Sequence, residues 1–288
     1  PRVTTQRQDR IIVRHHLQDR FARATETARQ TIGTNQRPIS DDTVRRRLTY
    51  RNLRCHRPYR GPILTARHRQ HRLQWAMHRQ HWRIRQWRGV VFSDESRYCI
   101  SAADGRMRVW RRRGERHSDP CVLERDAWGG PNIMVWGGIA LNHKLGPVIF
   151  QNIGPRRGNG VTAARYIDQV VRLHVVPHFA RHRNHLYQQD NARAHTARGT
   201  RDFLQQNGIQ TLEWPALNPD INPIEHMWDE IQRRLNEVRP RPTTRDQLSQ
   251  AFLRVWNQVP MAFVNRLIHS MPRRCNAVVN SNGGHTRY

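Results

Sequence analysis

The run GVVFSDES at residues 89–96 most constrains the fold, because it predicts a buried β-strand at the point where the composition of the chain changes. Residues 1–88 carry 22 arginines against five acidic residues, whereas residues 89–288 carry 28 basic against 17 acidic residues. Apolar strands and amphipathic helices alternate after this point. The sequence therefore predicts a domain boundary near Gly89.

The second part of the chain predicts a mixed sheet flanked by helices. The expected strands are VVFSD, RYCIS, RVW, NIMVWGGIAL, PVIFQNI, HLYQQD and IQTLEW, and the expected helices cover about 161–181, 194–207, 223–238, 245–258 and 261–271. A meander followed by strand–helix alternation is typical of an α/β domain. We divide the chain into a helical domain at residues 1–62, a basic linker helix at 63–88 and an α/β domain at 89–288.

The charge of the chain predicts a polyanionic partner. Its formal net charge is +28, and only Lys144 is a lysine, so arginine supplies nearly all the positive charge. Arginine donates two parallel hydrogen bonds to phosphate, which favours nucleic acid over an anionic membrane. The sequence has no apolar run of about 18 residues that would predict a membrane span. The four cysteines lack CxxC spacing, which argues against a zinc ribbon or a disulfide framework.

The front part predicts three short helices. They cover Gln8–Leu17, a segment from an N-cap at Thr25 to Gly33, and a segment after an N-cap at Ser40. This order predicts a helix-turn-helix DNA-binding domain, although a helical bundle with a solvated arginine face is the alternative. The third helix is expected to turn Asp42, Thr43, Arg46, Arg47 and Tyr50 outward. The candidate DNA contacts here are Thr43, Arg45, Arg46, Arg47 and Arg51.

Histidines at helical spacing follow the helical domain, at positions 68, 71, 78 and 81. They suit a metal site in principle, but only Cys55 and no carboxylate lies near them. A solvated or DNA-facing side of the linker helix is the favoured interpretation.

Two acids, Asp94 and Asp190, follow apolar strands, a common place for a functional site in α/β folds. For either residue alone, capping of the next turn is the competing interpretation.

The segment LNPDINPIEHMWDEI at residues 217–231 adds four acids. Asn222 and Glu225 have the spacing of a capping box at the start of a helix. The apolar stripe of that helix favours Glu225 or Glu230 for a partly buried role and leaves these two unresolved. Asp220 lies in a turn and is expected to be structural.

Converging carboxylates would suit Mg²⁺, which takes oxygen ligands. Two such ions about 3.5–4 Å apart activate water and stabilise the leaving oxygen of a phosphodiester. A strongly basic chain with that site would be a nuclease or a strand-transfer enzyme acting on nucleic acid.

The segments FSDESRYCI, MRVWRRRGER, IMVWGGIA, QQDNARAHTA, EWPALNPDINPIEHMWDEIQRRL and NSNGGHTRY, in this order, resemble the Tc/mariner superfamily of cut-and-paste DNA transposases. The resemblance implies an α/β ribonuclease H-like catalytic domain of the retroviral integrase type. It also implies three metal-binding catalytic acids, in the Glu-type branch with 34 residues between the second and third. Residues 191–224 supply that spacing, so the resemblance assigns the three roles to Asp94, Asp190 and Glu225.

The resemblance further implies two Mg²⁺ ions, with Mn²⁺ as a substitute. The implied chemistry is hydrolysis at the terminal inverted repeats of a transposon, followed by strand transfer into TA target DNA. A homodimer on DNA and a nuclear location are expected with it. Asn191 and His195 match family positions beside the second acid, where support of the site and simple helix capping both remain open.

At the front, Pro1-Arg2 resembles the end of a minor-groove hook that joins two helix-turn-helix modules in this family. Arg2 is therefore a further candidate DNA contact, and the first module is expected to be missing. Two other departures from the family pattern are Ala194 and Asn218, neither of which is one of the three acids.

Two other functions stay open at this point. The chain would alternatively be a catalytically inactive or domesticated DNA-binding protein derived from a transposase, or a general nuclease of the same fold. A DNA cleavage assay on terminal-repeat and scrambled duplexes separates the three.

Overall fold

The computed structural model describes residues 2–55, 63–100, 132–150 and 161–288. Contacts along the chain divide it into two compact units, Pro1–Gly61 and Pro62–Tyr288. Among the described residues, no helix has both the length and the apolar character needed to cross a lipid bilayer.

The first unit contains three helices in its described part, α1 (Gln6–Gln18), α2 (Ala24–Gln30) and α3 (Asp41–Tyr50). Ser40 caps α3 as predicted, because its side chain accepts a hydrogen bond from the Thr43 N–H. The predicted cap at Thr25 is wrong, since α2 already begins at Ala24. A small apolar core holds the helices together, formed by Ile12, Ala28, Ile39 and Val44.

The sheet of the second unit has four strands within the described residues. They are β1 (Val90–Cys99), β2 (Asn132–Ala140), β3 (His143–Phe150) and β4 (Leu186–Gln188), in the spatial order β3-β2-β1-β4. β1 pairs antiparallel with β2 and parallel with β4, and β2 pairs antiparallel with β3. The sheet is therefore mixed, as the sequence predicts.

Three strand predictions differ in detail from the structure. VVFSD and RYCIS join into the single strand β1. The predicted strand IQTLEW is reduced to one isolated bridge, between Thr211 and Tyr187. The predicted strand RVW lies outside the described residues.

Helices cover both faces of this sheet, because β1 turns apolar side chains alternately to the two sides. Val90 and Phe92 belong to one buried cluster, and Val91 belongs to the other. The helices of the first cluster are α4 (Ala66–Arg79), α5 (Ile84–Trp87), α10 (Ile224–Glu237), α11 (Arg245–Gln258), α12 (Met261–His269) and α13 (Met271–Asn280). Those of the second are α6 (Ala163–Tyr166), a π-helix (Ile167–Val175), α7 (Val176–Arg181), α8 (Arg193–Thr196) and α9 (Arg198–Gln206).

The segment predicted as one linker helix at 63–88 forms two helices, α4 and α5, within the second unit. Trp75 and Trp87 bring these helices into the same apolar core as the sheet, and Trp75 Nε1–H donates to the Glu213 carbonyl oxygen at 2.6 Å. Tryptophans on an arginine-rich helix thus bury one face against the sheet and leave the charged face to solvent.

Candidate active site

One cleft of the second unit, with a volume of about 390 Å³, gathers side chains from three separate segments. Asp94 comes from β1, Asp190 from the segment after β4, and Glu225 from the first turn of α10. Asp220, Asp229 and Glu230 are not among the residues that line it. The structure therefore brings together the three acids that the resemblance singles out.

Asp94 lies in the middle of β1, opposite Gly137 of β2, and not at the end of a strand as the sequence predicts. The Trp228 indole Nε1–H donates to Asp94 Oδ2 at 3.1 Å. Burial, and then the charges of Glu225 and Glu95, raise the pKa of the Asp94 carboxyl well above its ordinary value. This carboxylate is held in place by a tryptophan and surrounded by like charge.

Asp190 follows β4 in a turn that leads into α8. Its Oδ1 accepts hydrogen bonds from the Ala192 N–H at 2.8 Å and from His195 Nδ1 at 2.6 Å. Burial raises the pKa of Asp190, but these hydrogen bonds outweigh burial and place the pKa below its ordinary value. Asp190 therefore caps the turn and also faces the cleft as an ionised carboxylate.

His195 bridges two carboxylates, those of Asp190, which lines the cleft, and of Glu95. Its Nδ1 bonds Asp190, and its Nε2 lies 3.2 Å from Glu95 Oε1. Burial lowers the pKa of His195, but the bonds to Asp190 and Glu95 outweigh burial and raise the pKa to about 10. The ring is thus an imidazolium that holds Asp190. Sequence reasoning missed Glu95, although its position beside Asp94 in the run SDES was the available signal.

Glu225 does not form the predicted capping box. The Asn222 N–H donates instead to the Pro219 carbonyl oxygen at 3.0 Å, and the Asn222 side chain donates to the Ser93 carbonyl oxygen at 3.3 Å. Burial, together with the charges of Asp229 and Asp190, raises the pKa of Glu225 to about 7, although Arg274 opposes this rise. The Glu225 carboxylate is therefore available to the cleft.

The other two acids that the sequence considered are engaged elsewhere. Asp220 is buried and forms a two-pronged ion pair with Arg72, at 2.6 and 2.7 Å, which confirms its structural role. Glu230 accepts hydrogen bonds from Arg233 and Arg234 along α10. Only Glu225 of the two residues that helix periodicity favoured lines the cleft.

Asn191 also lines the cleft, beside Asp190. Its Nδ2 donates to the Trp214 carbonyl oxygen at 2.9 Å, which ties the segment after β4 to the loop before α10. Asn191 thereby joins two walls of the cleft.

The candidate DNA contacts on α3 divide into exposed and buried residues. Arg45 and Arg46 are exposed and pair along the helix with Asp41 and Asp42, at 2.7 and 3.0 Å. The prediction that Thr43 faces outward is wrong, because Thr43 is buried and bonds the Ser40 hydroxyl at 2.9 Å.

Three arginines remain among the predicted contacts. Arg47 turns inward, where its Nε lies 2.9 Å from the Thr4 hydroxyl and 3.2 Å from Asp9. Arg2 also pairs with Asp9, and Arg51 is exposed beside the ring of Tyr50. Asp9 thus fixes two of these arginines on one side of α1.

Two family models match the chain. Residues 89–249 match the family described as DDE superfamily endonuclease, and residues 9–81 match a helix-turn-helix family described as Transposase. The first match covers more than half of the chain and contains all three acids of the cleft.

Curated relatives match over nearly the whole chain. The Tc1 transposase of Caenorhabditis elegans is 32% identical over 97% of this chain and 100% of its own length. The Tcb1 transposase of Caenorhabditis briggsae is 31% identical over the same shares.

Solved structures of the Mos1 transposase share the fold. The strand transfer complex covers 100% of this chain and 82% of the Mos1 chain, with a TM-score of 0.71 at 19% identity. The catalytic domain alone covers 80% of this chain and 100% of its own, with a TM-score of 0.58. The predicted ribonuclease H-like fold, preceded by a helical helix-turn-helix region, is thereby confirmed. The chain belongs to the Tc1/mariner family of DDE transposases, with a helix-turn-helix DNA-binding region followed by a DDE catalytic domain.

Proposed function

We propose that this transposase carries out metal-dependent cut-and-paste transposition, with Asp94, Asp190 and Glu225 as its catalytic acids. The reaction would be phosphodiester hydrolysis at the ends of the transposon, followed by strand transfer into TA target DNA. The observation that carries the proposal is the meeting of three carboxylates from distant segments in one cleft. Carboxylates that repel one another in a partly buried site suit a cation.

The donor set fits divalent magnesium or manganese. The cleft offers carboxylate and amide oxygens and, among its described lining residues, neither a cysteine nor a histidine. Burial, and then the charges of neighbouring carboxylates, raise the pKa values of Asp94 and Glu225, and a bound cation would favour their ionised forms. The related Mos1 transposase has been solved as a paired-end complex with Mg and with Mn. We propose that the three acids hold two such ions.

The neighbours of the acids would orient them for this role. Trp228 fixes one oxygen of Asp94, and protonated His195 fixes Asp190 while keeping it ionised. The bound ions would supply activation of the attacking oxygen and stabilisation of the leaving oxygen. Preorganised ligands reduce the cost of ordering the site when DNA and metal arrive.

The first unit would bind the transposon end. Arg45 and Arg46 on α3, Arg51 directly after it, and Arg2 before α1 are cations of the kind that contact phosphates. We propose double-stranded DNA with terminal inverted repeats as the partner, a homodimer assembled on it, and action in the nucleus.

The substitution Asp94→Asn tests the proposal. We expect cleavage of a duplex carrying the element's own terminal repeats to fall by about 1,000-fold or more, because a carboxylate ligand is lost. Binding to the same duplex, measured by fluorescence anisotropy, should stay within about twofold, since phosphate contacts dominate affinity.

The matched control is Glu230→Gln, which removes a carboxylate of α10 that does not line the cleft. This variant should cleave like the unsubstituted protein. Persistent cleavage by Asp94→Asn in Mg²⁺ or Mn²⁺ would overturn the assignment. Binding without cleavage by the unsubstituted protein in either metal would favour an inactive DNA-binding descendant.

A further inference from the structure

Four histidines cluster in the second unit, outside the acidic cleft. His143 begins β3, His178 lies on α7, His182 follows that helix, and His185 precedes β4. The ring centroids of His143, His178 and His182 lie 4.5–5.2 Å from one another. His185 stacks on His182 at 4.9 Å. Because β4 separates His185 from Asp190 along the chain, the cluster lies at the opposite end of that strand from the acids.

The geometry of the cluster is that of a metal-binding histidine set. One ring nitrogen from each of His143, His178 and His182 lies within 4.8 Å of the other two. His178 lies on α7, and His182 is the C-cap residue four positions later, with its ring centroid 4.5 Å from that of His178. The third comes from the β2–β3 hairpin. Small side-chain rotations would bring three nitrogens to about 2.0–2.1 Å from a common ion.

The protonation state of the rings also suits a metal. Burial and the neighbouring histidines lower the pKa of His178 to about 3, and burial also lowers those of His143 and His185. These imidazoles are therefore neutral at pH 7, which is the form that binds metal. The bond between His178 Nε2 and His185 Nδ1, at 3.1 Å, resembles the contacts that fix the ring orientation of metal-bound histidines.

The chemistry of the set selects the metal. Imidazole nitrogens suit Zn²⁺, Cu²⁺ and Ni²⁺, whereas Mg²⁺ requires oxygen ligands. The grouping of His143, His178 and His182 contains histidines and no carboxylate. Magnesium at the acids and a transition metal at the histidines would therefore not compete for the same ligands.

We propose that His143, His178 and His182 form a second metal site, which binds a transition-metal ion of the Zn²⁺ type and ties the β2–β3 hairpin to the end of α7. Three imidazole ligands leave the fourth coordination position of the ion to water. His185 orients the ring of His178 without binding the ion itself. The ion would stabilise the fold and would take no part in DNA cleavage. This proposal does not depend on the roles of Asp94, Asp190 and Glu225.

The test uses the full chain without a polyhistidine tag, freed of metal by chelator and desalting. Titration with Co²⁺ should give one equivalent of visible absorption typical of a four-coordinate ion, and Zn²⁺ should displace it. Millimolar Mg²⁺ should not displace it. The substitutions His182→Ala and His143→Asn should each weaken Zn²⁺ binding by about 100-fold, measured by competition with a chromophoric chelator.

His269→Ala is the matched control, because His269 is exposed on α12 and does not belong to the cluster. This variant should bind Zn²⁺ like the unsubstituted protein. A saturating excess of Zn²⁺ should raise the melting temperature of the unsubstituted protein and of His269→Ala by about 5 °C, and should leave that of His182→Ala unchanged.

Equal Zn²⁺ affinity in all four proteins would overturn the proposal, as would displacement of Co²⁺ by Mg²⁺ or no stoichiometric binding at all. Circular dichroism establishes that each variant is folded. Should His182→Ala fail to fold, His143→Asn decides the outcome, because it removes a ligand from the hairpin and leaves the helix intact.

Discussion

At the scale of single residues, Trp228 has the most direct influence on the acidic cleft. Its indole donates to Asp94 and its ring packs in the core beneath the sheet. We expect Trp228→Phe to reduce DNA cleavage about 10-fold or more, because a hydrogen bond to a charged group contributes about 1.5–3 kcal/mol. Single-turnover cleavage at saturating Mg²⁺ measures the effect on the chemical step.

Trp256→Phe is the control for this prediction. The Trp256 ring packs against that of Trp228, with centroids 5.8 Å apart, but Trp256 does not line the cleft. This variant should lose stability and keep most of its cleavage rate. An equal loss of cleavage in both variants would attribute the effect to packing and not to the hydrogen bond.

Asp220 gives a second prediction, which concerns stability and pH. Its pKa is lowered in the folded protein, because the bonds from Arg72 and Thr286 outweigh burial. A lowered acid pKa contributes stability above the ordinary value of 3.8, and this contribution is lost as the pH falls through the folded pKa. We expect Asp220→Asn to cost about 3 kcal/mol at pH 7, because the buried Arg72 loses its partner charge.

Urea denaturation at pH 7 and at pH 3 measures the free energy of unfolding for this comparison. The difference between Asp220→Asn and the unsubstituted protein should shrink at the lower pH. Glu230→Gln, which removes the ion pairs of Glu230 with Arg233 and Arg234 along α10, should cost less than about 1 kcal/mol. A pH-independent difference for Asp220→Asn would contradict the ion-pair explanation.

Residue roles were predictable from the sequence only where the pattern was local. Helix periodicity reduced the candidates for the third acid to Glu225 and Glu230. The structure separates the two, because Arg233 and Arg234 bind Glu230. The ion pair between Arg72 and Asp220 joins residues 148 positions apart, and periodicity carries no signal of it. The predicted outward orientation of Thr43 was wrong for a related reason. Thr43 is polar, but it is buried because its hydroxyl bonds that of Ser40.

At the scale of elements, the contact between β2 and α10 sets the geometry of the cleft. Gly137 stands opposite Asp94 in the sheet, and a Cβ there would lie 2.7 Å from the Trp256 ring and 2.8 Å from the Trp228 ring. We expect Gly137→Ala to lower the free energy of unfolding by about 1–3 kcal/mol. It should also lower DNA cleavage, because the displaced Trp228 indole no longer donates its hydrogen bond to Asp94. Thermal unfolding and cleavage assays measure the two effects.

Gly199→Ala is the control at this scale, because a Cβ at Gly199 on α9 meets nothing within 4 Å. This change should be neutral or slightly stabilising, since alanine favours helix. Unchanged cleavage and stability in Gly137→Ala would contradict the expected displacement of the Trp228 ring.

The elements themselves were largely predictable from apolar periodicity. The helix at 245–258 and the β2–β3 hairpin appear where the pattern indicates them. The prediction of one linker helix was wrong. The many arginines of this segment indicated a solvated helix, whereas its tryptophans bury α4 and α5 in the core. The capping box failed because the Asn222 side chain reaches Ser93 on another element, a tertiary contact that local spacing does not predict.

At the scale of the whole second unit, the last residues of the chain are fastened to its first helix. Arg72 on α4 donates to the carbonyl oxygens of Gly283 and Gly284, as well as to Asp220 and Asn218. Gly283 has a φ of +76°, and a Cβ there would collide with the Arg69 carbonyl group. We expect Gly283→Ala to cost about 3 kcal/mol, through backbone strain and loss of this packing.

Gly208→Ala separates strain from packing, because Gly208 has a φ of +66° but open space around its Cα. It should cost only about 1 kcal/mol. Cleavage should fall in Gly283→Ala and not in Gly208→Ala, since Arg72 also bonds the Leu217 carbonyl oxygen of the loop that lines the cleft. Equal costs for the two variants would contradict the packing explanation.

Glu225 is held in place by contacts close to it in sequence, and this affects how the length of such a chain can vary over evolution. Asn222 fixes the start of α10 to β1, and Arg72 fixes the loop before it, so neither contact depends on the number of residues that precede them. The end of α9 and the turn that follows it, at residues 205–208, are exposed. Insertions and deletions there can therefore change the separation of the second and third acids while the third acid keeps its place. The 34-residue interval then depends on the length of the exposed segment, whereas the position of Glu225 depends on the two anchoring contacts.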